Sequence, residues 1–156
     1  MKALAAAVLF MSLPFAAPSA SAGDPKPFST PQVAACPGLE LADGWIREAP
    51  PGATVMAAYA RLRNAGKAPL QFEQASSPGF GAVELHRTVI ENGLARMLHG
   101  QSLRLAPGES TLLEPGGWHL MLFRPVRPLK AGDTISITLG CGDAGRPFSF
   151  TVKNNP

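Results

Sequence analysis

The chain has 156 residues, a formal net charge of +3, and 16 prolines beside 16 glycines. So small a positive charge, carried by scattered basic residues, excludes a nucleic-acid binder of the usual electrostatic kind. Prolines and glycines at this density break up long helices, and no apolar run beyond the N-terminus is long enough to span a bilayer.

The first 22 residues read as a cleavable signal peptide. Lys2 supplies the positive start, Ala3 to Ala17 is apolar apart from Ser12 and Pro14, and Ala20-Ser21-Ala22 fits the small-residue cleavage pattern. No cysteine stands at the cleavage point, so export to a bacterial periplasm as a soluble protein is expected. Removing residues 1–22 leaves 134 residues with a formal charge of +2, enough for one domain with its own core. Residues 23–35, rich in Pro, Ser and Ala, read as a flexible arm. Residues 36–156 form the expected domain.

Within that domain the sequence breaks into short segments of strand composition. Strands are expected at Leu39–Arg47, Val55–Arg63, Leu70–Ala75, Ala82–Glu91, Leu94–Leu98, Ser110–Glu114, Trp118–Phe123, Thr134–Leu139 and Phe148–Lys153. Turn signals separate them, including Pro50-Pro51-Gly52, Asn64-Ala65-Gly66, Pro107-Gly108, Pro115-Gly116-Gly117 and Ala131-Gly132-Asp133. Turns at such spacing, with no sustained helical period, predict a single all-β, antiparallel domain: a sandwich or small barrel.

Cys36 and Cys141 stand near opposite ends of the domain. In an oxidising compartment they are expected to form a disulfide. A redox-active pair is the alternative, although neither lies in a CxxC motif.

Four other side chains carry the chemistry. Ten residues separate His86 from Met97, twenty-one separate Met97 from His119, and Leu120 alone separates His119 from Met121. Thioether is a soft, neutral donor, and together with imidazole it suits Cu(I) far better than calcium, magnesium or zinc. Asn92-Gly93 predicts a two-residue hairpin, because both turn positions need positive φ. In that register Glu91 faces Leu94 and Thr88 faces Met97, so His86 and Met97 share a face one diagonal step apart. His119 and Met121, two residues apart, also share a face, with Trp118 and Leu120 expected to point into the core. His99 falls opposite His86 in this register. It reads as a surface residue, with an auxiliary or Cu(II) ligand as the alternative. A site without thiolate holds copper yet can surrender it to a thiolate-rich acceptor, which is the profile of a carrier and not of an enzyme.

The pattern His86–X10–Met97–X21–His119–X–Met121 resembles the copper-binding signature of the PCu(A)C family of periplasmic copper chaperones. Trp45-Ile46-Arg47, Ala57-Ala58-Tyr59 and Asn64 resemble the family's early strands. Pro115-Gly116-Gly117-Trp118-His119-Leu120-Met121-Leu122 and Pro128-Leu129-Lys130-Ala131-Gly132-Asp133 resemble its later half. The resemblance implies a cupredoxin-like β-sandwich of Greek-key type that binds one Cu(I) through those four side chains. It also implies delivery toward the copper A centre of cytochrome c oxidase, with an oxidase subunit or a Sco-type thiol protein as acceptor. Two departures stand out. Arg87 occupies a place where family members often carry methionine, and the chain ends Lys153-Asn154-Asn155-Pro156 where many carry a His/Met-rich tail, so a tail-borne second site is not expected. A monomer is expected. The rival readings are a copper-sequestering tolerance protein without an obligate acceptor, a thiol-disulfide reductase using Cys36 and Cys141, and a plain interaction module.

Overall fold

The computed structural model describes residues 36–141 and 144–154. The expected signal peptide and arm, residues 1–35, lie outside the described residues. The described chain forms eleven strands and no helix. In order these are β1 (Leu39–Arg47), β2 (Val55–Asn64), β3 (Leu70–Phe72), β4 (Gln74–Ser76), β5 (Phe80–Glu91), β6 (Leu94–Leu98), β7 (Leu103–Leu105), β8 (Ser110–Leu113), β9 (Trp118–Pro125), β10 (Thr134–Cys141) and β11 (Ala144–Lys153).

Nine strands form one sheet in the order β4-β10-β11-β1-β2-β8-β9-β5-β6. Direct pairing of β2 with β9 and of β4 with β5 closes it on itself, while β3 and β7 make a separate two-stranded ribbon. The all-β reading therefore holds, and of the sandwich and small barrel that the turn spacing allowed the sheet takes the closed, barrel-like form. Nor is it wholly antiparallel, since β1 runs parallel to β11 and β8 parallel to β9. Closure removes most open edges, which an open sheet would have to shield in other ways.

The expected strand at Leu70–Ala75 is two strands, because its halves find different partners. Leu70–Phe72 pairs with β7, and Gln74–Ser76 pairs with β10. Strand β7 was not anticipated: three residues are too few to show a period, although Leu103 and Leu105 alternate inward around an exposed Arg104.

The core fills the closed sheet. Leu39, Ile46, Leu62, Leu120, Leu122, Ile137, Leu139 and Phe150 are fully buried, each such side chain contributing about 1.5–3 kcal/mol relative to exposure. Asn64 is also fully buried and serves as a polar knot. Its amide nitrogen donates to Ala68 O at 2.8 Å and Leu105 O at 3.1 Å, and its side-chain oxygen accepts from Gly66 N at 2.9 Å. Cys36 and Cys141 form the expected disulfide, with 5.2 Å between their Cα atoms and 105 positions between them in sequence. In the chain-entropy model a loop of that length is worth about 4–5 kcal/mol.

Candidate metal centre

The Asn92-Gly93 turn has φ of 53° and 77°, both positive, as a tight hairpin demands. It sets the register anticipated from the sequence, Glu91 opposite Leu94 and Thr88 opposite Met97. The other half of the site comes from β9, which pairs directly with β5. His86 lies opposite His119, and Glu84 lies opposite Met121.

Antiparallel partners share a face, and the core assigns which face this is. Leu85 pairs with Leu120 and Val83 with Leu122, and these four are the inward set. Glu84, His86, His119 and Met121 therefore project from the outer surface of the barrel, as does Met97 from β6. On the far side of Met121, β2 presents only Ala57, leaving space for the longer side chain.

His86 is fully buried although it points away from the core, and His119 is 5% exposed. Aromatic and thioether neighbours cover them. The ring of His86 lies 4.4 Å from that of His99, 5.9 Å from that of His119 and 6.1 Å from that of Phe123, centroid to centroid. His86 Nδ1 sits 3.4 Å from Met97 Sδ. Two donors sharing a small tetrahedral ion, with metal–N about 2.0 Å and metal–S about 2.3 Å, stand roughly 3.5 Å apart. Met97 itself is 44% exposed, so a soft ion can reach the pair from solvent.

The remaining ring nitrogens are accounted for. His119 Nδ1 donates to Gly117 O at 3.0 Å, which leaves Nε2 as its coordinating atom. Gly117 O also accepts from Thr88 N, so the Gly116-Gly117 turn is tied to β5. Burial holds the His119 imidazole below its usual pKa. The bond to Gly117 pushes the other way, and charge on His86 adds to the depression. His86 Nε2 lies 2.9 Å from Glu84 Oε2, so a proton there donates to the carboxylate and Nδ1 keeps its lone pair toward Met97.

Each expected ligand thus has a place. His86, Met97 and His119 cluster, and Met121 shares their face beside Glu84. Sequence reasoning missed Glu84, although its parity with His86 put it on the same face. His99 is exposed, as its surface reading required, but its Nδ1 is 3.3 Å from His86 Nε2. Arg87 points to the opposite side of β5, its guanidinium 5.2 Å from the centre of the Trp118 ring. Trp118, expected to point into the core, packs against it while remaining half-buried. Cys36 is 1% exposed within its disulfide, which leaves its sulfur shielded from the thiol chemistry a reductase needs.

Residues 39–152 match the family model described as "Putative lipoprotein LpqE-like". The chain belongs to the LpqE-like family. A curated relative, "Putative lipoprotein Lxx21020" of Leifsonia xyli subsp. xyli, is 35% identical over 119 residues, covering 75% of this chain and 70% of the relative. Among solved structures, this LpqE-like protein shares its fold with the apo PCuAC domain from PmoF1 (TM-score 0.63, 22% identity, 76% of this chain and 95% of that one). It is also similar to DR1885 of Deinococcus radiodurans. The apo form gives a TM-score of 0.60 at 27% identity, covering 94% of this chain and 97% of DR1885. The CuI form gives 0.58 at 26%, covering 79% and 83%.

Proposed function

We propose that this LpqE-like protein is a periplasmic copper chaperone that binds one Cu(I) through His86, Met97, His119 and Met121. The observation that carries the reading is the 3.4 Å approach of Met97 Sδ to His86 Nδ1, on a face that also presents His119 and Met121. Two thioethers and two imidazoles without a thiolate favour the cuprous ion. The likeness to CuI-DR1885, and at the level of fold to the copper-bound PCuAC domain from PmoF2, supports the same assignment.

His86 supplies Nδ1, His119 supplies Nε2, and the thioethers complete a neutral donor set that needs no deprotonation of sulfur. The ion is cargo, and none of these side chains is asked to perform catalysis. Exposure of Met97 gives an acceptor access to one edge of the site, so thiolates can replace the donors one at a time. The acceptor on this reading is a protein that assembles the copper A centre of cytochrome c oxidase, either an oxidase subunit or a Sco-type thiol protein. On this reading residues 1–22 direct export and are then cleaved.

The test is an anaerobic titration with Cu(I) against a chromogenic cuprous chelator, with Met97→Leu/Met121→Leu in parallel. One-to-one binding that collapses in the double variant is expected. Binding indifferent to both methionines overturns the assignment.

A further inference from the structure

Ligand atoms of Glu84, His86 and His99 all lie within 4.8 Å of one another, and a single hydrogen on His86 Nε2 can satisfy only one of the two acceptors that face it. His86 Nε2 is 2.9 Å from the Glu84 carboxylate and 3.3 Å from His99 Nδ1. If Nε2 carries the proton, that one hydrogen faces two acceptors. If His99 Nδ1 donates instead, the Nε2 lone pair faces a carboxylate. A cation at the centre would satisfy all three groups at once. Two imidazole nitrogens sharing one ion at about 2.05 Å lie roughly 2.9 Å apart in square-planar and 3.3 Å apart in tetrahedral coordination, so the 3.3 Å between His86 Nε2 and His99 Nδ1 is within reach of a shared ion.

The donor chemistry differs from that on the other side of the same ring. Two imidazoles and a carboxylate, with no sulfur, suit a borderline divalent ion, and in the Irving–Williams order Cu(II) binds ahead of Zn(II). Glu84 and His99 are both solvent-exposed, so the ion has an open approach and room for a water as a further ligand.

We infer that Glu84, His86 and His99 form a second copper site, selective for divalent ions, which shares the His86 ring with the thioether site. This rests on the cuprous reading of His86 Nδ1 given above. The shared ring makes the two sites alternatives. With the proton on Nε2, Nδ1 is free for Cu(I) beside Met97. When a divalent ion takes Nε2, the proton sits on Nδ1, where Met97 Sδ is a weak acceptor. Loading both nitrogens together would require an imidazolate. The protein therefore accepts copper in either oxidation state but holds one ion at a time, with the tautomer of His86 as the selector.

Three proteins separate the possibilities: the wild type, His99→Ala, and Met97→Leu/Met121→Leu. Each is titrated with Cu(II) followed by electron paramagnetic resonance, and with Cu(I) against a chelator. His99→Ala is expected to remove one nitrogen coupling from the Cu(II) spectrum and to weaken Cu(II) binding by more than about tenfold, while Cu(I) affinity stays within about threefold. The double methionine variant should show the reverse pattern. Glu84→Gln keeps an acceptor for His86 Nε2–H but loses the charge, and should weaken Cu(II) binding as His99→Ala does while keeping both nitrogen couplings. A Cu(II) spectrum and affinity untouched by His99→Ala overturn the second site. Cu(I) binding indifferent to both methionines refutes the chaperone assignment alone, since the Cu(II) results stand apart from it. Finally, protein preloaded with one equivalent of Cu(I) should take up no Zn(II), a redox-inert probe. Zn(II) binding at full affinity to the loaded protein would overturn the sharing of His86.

Discussion

Glu84→Ala tests whether the carboxylate sets the state of the proposed cuprous site. In the wild type, Glu84 Oε2 accepts from His86 Nε2 at 2.9 Å, which fixes the ring and leaves Nδ1 facing Met97 Sδ. Removing an outer-shell partner of a metal-bound histidine typically costs 10–100-fold in affinity, or about 1.4–2.7 kcal/mol. The Glu84 side chain is 49% exposed, so water can replace part of what it provides, while the ring it holds is fully buried and cannot reach water unaided. The expected loss is therefore near the lower end, about tenfold in Cu(I) affinity. It is read by competition with a cuprous chelator at fixed pH, with thermal unfolding of the apo protein as the control for folding. Glu84→Gln, whose amide oxygen still accepts from Nε2–H, should recover most of the loss. An affinity for Glu84→Ala within about twofold of wild type would refute the idea that the carboxylate selects the tautomer.

Other expectations concern the scaffold and its response to pH. Asn64→Ala strips partners from the buried Leu105 carbonyl, the half-buried Gly66 N and the exposed Ala68 O. That should cost about 3 kcal/mol, or roughly 12 °C in Tm for a domain of about 120 residues, with Cu(I) affinity of the folded protein unchanged. A loss below about 1 kcal/mol by denaturant titration would show that the knot contributes little. Because burial lowers the pKa of His119, the unfolded chain takes up its proton first as pH falls. Stability should be full above the ordinary histidine value of about 6.5, decline as pH drops toward the lowered value, and then level off. His119→Gln should flatten that decline between about pH 7.5 and 5.5 in urea midpoints, and an unaltered slope would assign it to another group.

The parts of the fold written in local chemistry were readable from the sequence. Asn92-Gly93 dictates a turn type, the turn dictates the register, and the register puts Met97 on the face of His86 without reference to the rest of the chain. The two-residue spacing of His119 and Met121 is equally local. What the sequence did not carry was the landing of β9 beside β5, a contact between segments more than thirty residues apart that is decided by the whole core. The same applies to the parallel pairings of β1 with β11 and β8 with β9, and to closure of the sheet. Glu84 escaped notice because a single carboxylate belongs to no motif. Its role appears only when the strand alternation is followed back two positions from His86. The hairpin ladder ends at Arg87 opposite Leu98, one residue short of His99, and the approach of His99 to His86 depends on where the chain turns after β6. Trp118 was assigned inward by parity and does pack against the core, half-buried, with the Arg87 guanidinium over its ring.

Strand β6 stands last in the sheet order and, among the described residues, pairs only with β5. It is five residues long, and Leu94 beside the turn is 70% exposed, so little apolar surface holds it down. Strands β5 and β9, by contrast, belong to the closed ring. Peeling β6 away would withdraw Met97 and His99 together and leave His86, His119, Met121 and Glu84 where they are. The free energy of such an opening is a fraction of that for unfolding the barrel. On the chaperone reading, fraying of this one short edge strand would set how long a bound ion stays, independently of the stability of the closed ring.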